Sequence, residues 1–403
     1  MRSMQQYQLK SGRMLWAFSK FGAQRLNSTS FSGKNHQTLC RVCWATGIGL
    51  LCSRKRSVCM AEHASKGQVL EAEFQRIAEG TSGTVGIAVS LLSQEKTELT
   101  GLRTHELFPM ASTFKVPLAC VVMRMVDSGD LQLNDELELT LSDVRPGTGV
   151  LTMRLLKDQD TSPSHRYTVQ QLLEMAMNDS DNAATDVLLK RVGGPRAVTQ
   201  YIRSLGLQKL TVARGCLEHL RDRCGVSADK TPAAALLCQD HAPIPEAQDM
   251  VDFVATLEGR MEVLPLASLS GADAAFDDDP RDQTTPRDMA NLLRMIWTRQ
   301  AGLSDKATQI LLGIMANCRT GKGRLPALLP YKQPVMHKTG SLGGRANDVG
   351  FIQLPTGHTL AIAVFVKGPA GPGQSSTAEL YAERDKVIAN LARTSYDFFL
   401  FHG

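Results

Sequence analysis

The sequence predicts an α+β fold: an antiparallel sheet flanked by the terminal helices, with an all-α lobe inserted between its strands. Two patterns carry that expectation. Apolar residues alternate with small or polar ones in two early segments and three late ones, and the long stretch between them is mostly helical in spacing. Strands about 230 residues apart in the chain join one sheet if the block between them forms a second lobe. A chain of 403 residues is long enough for two lobes, with a cleft between them as the natural place for a site.

The elements follow in order. Gln68–Ala78 reads as an amphipathic helix, with Leu70, Phe74 and Ile77 at spacings of four and three. Thr84–Leu92 alternates Val85, Ile87, Val89 and Leu91 with small or polar partners, and Glu95–Leu102 is its hairpin partner after a Ser93-Gln94 turn. From Leu107 to Asn317 the chain is mostly helical: one helix follows Ser112, one starts at Thr168 boxed by Gln171, and one covers Ala183–Arg191 and stops at Gly193-Gly194. Residues 222–280 lack a clean period and read as an inserted loop with one helix at Gln248–Leu257. Helix resumes after Thr285, which caps it, with Pro286 at its first position and Asp288 closing a capping box. Val335–Ser341, Asn347–Leu354 and Thr359–Lys367 are three further strands, and Ser376–Phe399 is a final helix. The α/β lobe thus takes about 67–107 and 320–403, and the all-α lobe about 108–319.

Charge divides the chain. Residues 1–61 hold ten of the 45 Lys and Arg and no acid, so the remainder carries 35 bases against 40 acids, a net of −5. A mildly acidic body gives no electrostatic reason to expect nucleic acid, and no apolar run reaches the roughly 18–20 residues of a membrane span. The partner expected is a small molecule, bound by a monomer. The basic leader, 1–61, has the composition of an organelle transit peptide; a secretory signal with Val42–Cys52 as its apolar core and translated sequence before a misassigned start codon are the other readings, so localisation stays open. Among nine cysteines, Cys40 and Cys43 with Cys52 and Cys59 miss zinc-knuckle spacing, because six residues separate the second pair. No metal, no cofactor and no disulfide framework are expected, and the thiols read as free and mostly buried.

Three short motifs carry chemistry. Ser112-Thr113-Phe114-Lys115 puts a hydroxyl at a helix start and an amine three residues later on the same face. Alone, such a pair is commonly a surface Ser and Lys; with the Lys desolvated, it is a nucleophile and its base. Ser180-Asp181-Asn182 offers a hydroxyl for proton relay and an amide for substrate, although alone it would be a helix-capping turn. Lys338-Thr339-Gly340-Ser341 brings a cation to a strand beside the cleft, where Gly340 permits close approach of a ligand backbone; alone it would be a solvated edge strand.

In this order the three motifs resemble the class A serine β-lactamases and the related penicillin-binding proteins. The resemblance runs from about Leu70 to the C-terminus and includes Phe108-Pro109-Met110, Gly193-Gly194-Pro195 and Thr284-Thr285-Pro286. It implies the serine β-lactamase/D,D-peptidase fold and a β-lactam ring opened through an acyl-enzyme on Ser112. Lys115 is then the general base, and Ser180 passes a proton to the leaving nitrogen. Asn182 holds the substrate's side-chain amide, Lys338, Thr339 and Arg324 bind its carboxylate, and the N–H groups of Ser112 and Ser341 form the oxyanion hole. One departure stands out. Family members have a Glu, followed four residues later by Asn, that activates the deacylating water. Counting without gaps puts Cys216 there; a two-residue insertion would put Glu218 there instead, followed by Asp222. The alternatives to turnover of β-lactams are a D,D-peptidase or esterase and a slowly deacylating penicillin binder.

Overall fold

Five antiparallel strands make the central sheet, in the order β2 (Leu99–Leu102), β1 (Thr84–Leu92), β9 (Thr359–Lys367), β8 (Arg345–Gln353), β7 (Val335–Leu342). The computed structural model describes residues 66–92, 99–145, 147, 149–157, 164–224, 276–330, 332–369 and 376–402. The leader with its four cysteines, the Ser93-Gln94 turn and the expected helix at Gln248–Leu257 lie outside the described residues.

Strand β1 (Thr84–Leu92) pairs with β2 (Leu99–Leu102) and, along its whole length, with β9 (Thr359–Lys367). On its other side β9 pairs with β8 (Arg345–Gln353), which pairs with β7 (Val335–Leu342). The expected 230-residue crossover therefore exists. The terminal helices, α1 (Lys66–Ala78) and α10 (Thr377–His402), cover one face, where Leu70 and Phe74 meet Val85, Ile87, Val364, Ile388 and Leu391 in one buried cluster. Burying each large aliphatic or aromatic side chain there contributes about 1.5–3 kcal/mol.

The other face packs on the helical lobe through Ala88, Phe351 and Phe365. That lobe comprises α2 (Lys115–Ser128), α3 (Leu151–Lys157), α4 (Val169–Glu174), α5 (Asn182–Arg191), α6 (Gly194–Ser204), α7 (Cys216–Cys224), α8 (Pro286–Trp297) and α9 (Asp305–Ala316). Two small ladders interrupt it, β3 (Phe108–Pro109) with β6 (Gln283–Thr284) and β4 (Glu136–Thr140) with β5 (Ser164–Thr168). The helical block was expected without them: Glu136, Glu138 and Arg166 are exposed strand positions whose two-residue period is short and polar.

Two local expectations change. The helix begun at Thr168 has its capping box with Gln171, but at Met175 it widens into a π-helical turn through Asp179 and ends at Ser180, φ 61°. Thr285 caps α8 by accepting from the Asp288 N–H at 3.1 Å, yet the Asp288 carboxylate accepts from the Lys209 N–H at 2.7 Å rather than closing the box. The end of the 222–280 insert is firmly held: Asp277 pairs with the buried Arg345 at 2.8 Å and Asp279 with Arg281 at 2.7 Å.

Candidate active site

The three motifs meet at one cleft of about 180 Å³ lined by Ser112, Ser180, Asn182, Cys216, His219 and Arg324, with Thr339 and Ser341 on the sheet side. Ser112 lies in a 3-10 turn (Ala111–Phe114) that runs directly into α2, behind Ala111 at φ 44°. Asn347 of β8 fixes this turn to the sheet, its Nδ2 donating to the Pro109 and Met110 carbonyls at 2.8 and 3.0 Å. Gly340 has a different reason from the one expected: a Cβ there would stand 2.6 Å from the Met110 carbonyl oxygen and 3.2 Å from the Ser112 nitrogen. The close approach is to the chain's own backbone, and it brings β7 against the Ser112 turn.

Lys115 is fully buried, and its Nζ donates to the Ser180 carbonyl at 2.8 Å and to Asn182 Oδ1 at 3.0 Å. Burial holds the amine below its usual pKa, against the opposing pull of Cys216, Asp181 and Asp186. Lys115 Nζ also lies 3.5 Å from the Asp181 carbonyl, so the whole Ser180–Asn182 turn holds the amine. The Ser180 hydroxyl lies 3.3 Å from Lys115 Nζ and accepts from Lys338 Nζ at 2.9 Å. Burial, then the Lys115 charge, brings Lys338 down to about 7. The π turn and left-handed Ser180 are what aim this hydroxyl between two lysines; such bulges recur at functional sites.

Arg324 also reaches the cleft wall, but most of its donors are taken. Nε pairs with Asp385 at 2.7 Å, Nη1 donates to the Gly340 and Asn347 carbonyls at 3.0 and 2.9 Å, and Nη2 donates to Ser341 Oγ at 2.7 Å. It braces the end of β7 while leaving one Nη2 hydrogen for a ligand. Thr339 Oγ1 is 2.6 Å from Thr320 Oγ1.

The two alternatives for the water-activating acid separate. Cys216 lines the cleft, while Glu218 is exposed and its Oε2 accepts from the Gly215 N–H at 3.0 Å, outside the cleft lining. Of the two residues, Cys216 is the one at the cleft. The Asp186 carboxylate fixes the segment, accepting from the Cys216 N–H at 2.7 Å and the Leu217 N–H at 3.2 Å. Two residues earlier, Arg214 is clamped by Asp282 at 2.6 Å. Burial, and then Asp186, push the Cys216 thiol well above its usual pKa, so it stays neutral.

Several contributors escaped the sequence reading. Gly147 and Thr320 line the cleft, and Gly149 (φ 118°) has no room for a Cβ, which would fall 2.1 Å from Asp181 Oδ2. The Gly147-Thr148-Gly149 spacing was the available signal. Nothing local marked Asp186 or His219.

Comparison with known proteins shows the family. The sequence profile of the β-lactamase enzyme family matches residues 69–399. The chain belongs to that family. It is 29% identical to the extended-spectrum β-lactamase PER-1 of Pseudomonas aeruginosa, over 84% of this chain and 89% of that one. It is 24% identical to a β-lactamase of Bacteroides uniformis, over 81% and 90%. A β-lactamase structure from Chitinophaga pinensis superimposes with a TM-score of 0.58 at 27% identity, covering 81% of this chain and 97% of that one. The TLA-1 extended-spectrum β-lactamase gives 0.61 at 22%, covering 83% and 100%, a likeness of fold. Among the described residues, no helix is long and apolar enough to cross a membrane.

Proposed function

We propose that this chain is a serine hydrolase that opens β-lactam rings by acylation of Ser112 and releases the acyl group slowly. The observation that carries the first half is the buried Lys115–Ser180–Lys338 chain of hydrogen bonds beside Ser112. In the acylation step Ser112 Oγ attacks the lactam carbonyl carbon and gives its proton to Lys115. The C–N bond then breaks, and Ser180 delivers a proton to the nitrogen, resupplied through the lysines. The Ser112 and Ser341 N–H groups face the developing oxyanion, at roughly 3 kcal/mol per donor. Asn182 takes the substrate's side-chain amide, and Lys338, Thr339 and the remaining Arg324 hydrogen take the ring carboxylate.

The second half rests on Cys216. Deacylation needs a base that draws a proton from water, and a neutral thiol held beside Asp186 is a poor one. The Glu218 carboxylate is occupied with the Gly215 N–H on the solvent side. The test is intact mass after mixing the full chain with benzylpenicillin, followed by peptide mapping. A lasting adduct on Ser112 is the expected result. Hydrolysis of acyl-D-Ala-D-Ala peptides without any penicillin adduct would point to a peptidase instead.

A further inference from the structure

Strand β7 brings Lys338, Thr339 and Ser341 to the cleft from the edge of the sheet, where β8 alone pairs with it among the described residues. Its place therefore depends on one ladder and on whatever holds it from behind. Alternation along the strand puts His337, Thr339 and Ser341 on one face, while Lys338 turns to the other and reaches Ser180. On the first face His337 Nδ1 lies 2.8 and 3.0 Å from the two carboxylate oxygens of Asp348, which stands opposite Thr339 in the ladder. Gly350, opposite His337, has no room for a Cβ, which would fall 2.6 Å from the His337 Cα, so the two strands are pressed together at this pair.

Both side chains are buried, Asp348 completely. A carboxylate so placed is tolerable only when it is paired and its other lone pairs are met. The further donor is the Leu325 N–H, at 3.2 Å from Asp348 Oδ2. Leu325 directly follows Arg324, whose guanidinium donates to the Gly340 carbonyl at 3.0 Å and to Ser341 Oγ at 2.7 Å. One buried carboxylate thus sits where β7, β8 and the turn bearing Arg324 come together, and it has no part in the Ser112 chemistry.

We propose that Asp348, through its buried pair with His337 and its bond to Leu325, is the positioning residue for the carboxylate-binding end of the cleft. It touches no substrate. It holds the strand that carries Lys338 and Thr339 on one side and the turn that carries Arg324 on the other, and so sets the spacing of the groups that meet the ring carboxylate. What this end binds rests on the Ser112 reading; the bracing does not. Burial opposes a charge on His337, but the Asp348 charge and then its hydrogen bond outweigh burial and push the imidazole up to about 10. The two are therefore an ion pair at neutral pH. A pair that only supported the sheet would affect all substrates alike, whereas a positioning pair affects those whose carboxylate must reach Lys338, Thr339 and Arg324 together.

The test is Asp348→Asn in the full chain, mixed with benzylpenicillin and with its methyl ester. Asn keeps the shape but has one carbonyl oxygen for two converging donors, so it can serve His337 or Leu325 and not both. The concentration dependence of acylation separates binding from the acylation step. Binding of benzylpenicillin should weaken by about tenfold, the lower scale of one charge-assisted hydrogen bond, with the saturating acylation rate and the binding of the ester unchanged. Equal weakening for both substrates, or no weakening for either, would overturn the proposal. Because Asp348 is buried and the variant can fail to fold, the wild-type chain is followed by nitrogen NMR as well. The His337 ring should carry both protons at about pH 8, and the Leu325 amide should exchange as slowly as the sheet amides. A ring that loses its proton near the ordinary value of about 6.5, or a Leu325 amide that exchanges like an open turn, would also overturn it. Failure of the Ser112 reading looks different: neither substrate would then leave an adduct on the wild type, and the NMR result would decide the bracing by itself.

Discussion

The two walls of the cleft differ in how completely they are equipped. On the wall built from α2, the Ser180 turn and β7, the cationic side chains are all engaged: Lys115 with Ser180 and Asn182, Lys338 with Ser180, Arg324 with Ser341. On the wall built from Arg214 to His219, the scaffold is equally well braced, by Asp186 and Asp282, but it presents a thiol where hydrolysis calls for a carboxylate. Support and chemistry are therefore separable. A segment can keep its clamps and its place in the cleft while no carboxylate lines that cleft among the described residues.

The comparison can be broken or sharpened by substitution. The largest effect should come from Ser112→Ala, which removes the nucleophile: covalent labelling by a fluorescent penicillin should disappear, and undiminished labelling would remove the basis for the acylating wall. Next is a gain. Cys216→Glu combined with Asp186→Asn supplies the missing base without setting two carboxylates together, and should speed acyl release by about 10²-fold, the lower range for a positioned general base. Acylation rates should barely change. Failure of release to accelerate, with the fold intact by circular dichroism, would mean that the thiol is not what slows this wall.

A smaller effect separates charge from shape on the first wall. Lys338 sits near 7 because burial and Lys115 disfavour its ammonium. Below that pH it is charged and attracts a carboxylate; as pH rises through it the charge is lost. KM for a substrate with a free ring carboxylate should therefore rise above about pH 7, by roughly tenfold at most, the scale of one charge-assisted hydrogen bond. The KM of its neutral ester should stay flat, and parallel profiles would contradict the assignment. The smallest effect belongs to Glu218→Gln. Among the described residues its carboxylate receives only the Gly215 N–H, so stability should fall by no more than about 1 kcal/mol and the deacylation rate should be unchanged. A release rate lowered many-fold would return Glu218 to the role of base.

Much of this was legible in the sequence because it is periodic or contiguous. Strands β1 and β9 have the expected limits, since each is an apolar run of nine residues buried on both faces, one under the terminal helices and one under the helical lobe. The three motifs were legible as short strings whose order carries information that none holds alone. What was not legible depends on tertiary distance. Asp186 braces Cys216 from 30 residues away, and His337 and Asp348 meet across two strands. Arg324 looked like a ligand group by its distance from Lys338, whereas the fold spends most of its guanidinium on Asp385, Gly340, Asn347 and Ser341. Gly340 likewise reflects a contact with Met110 that no local pattern encodes.

The contrast between the two walls is tested most directly by stopped-flow mixing of the wild-type chain with a chromogenic cephalosporin, with the acyl mass followed in the same samples. An acylating wall facing a wall without a base predicts a burst close to one product per enzyme, a slow steady phase, and an acyl adduct that persists through it. Rapid linear turnover with no accumulated adduct would contradict the account, because some group on the Arg214–His219 wall or beyond it would then be activating water.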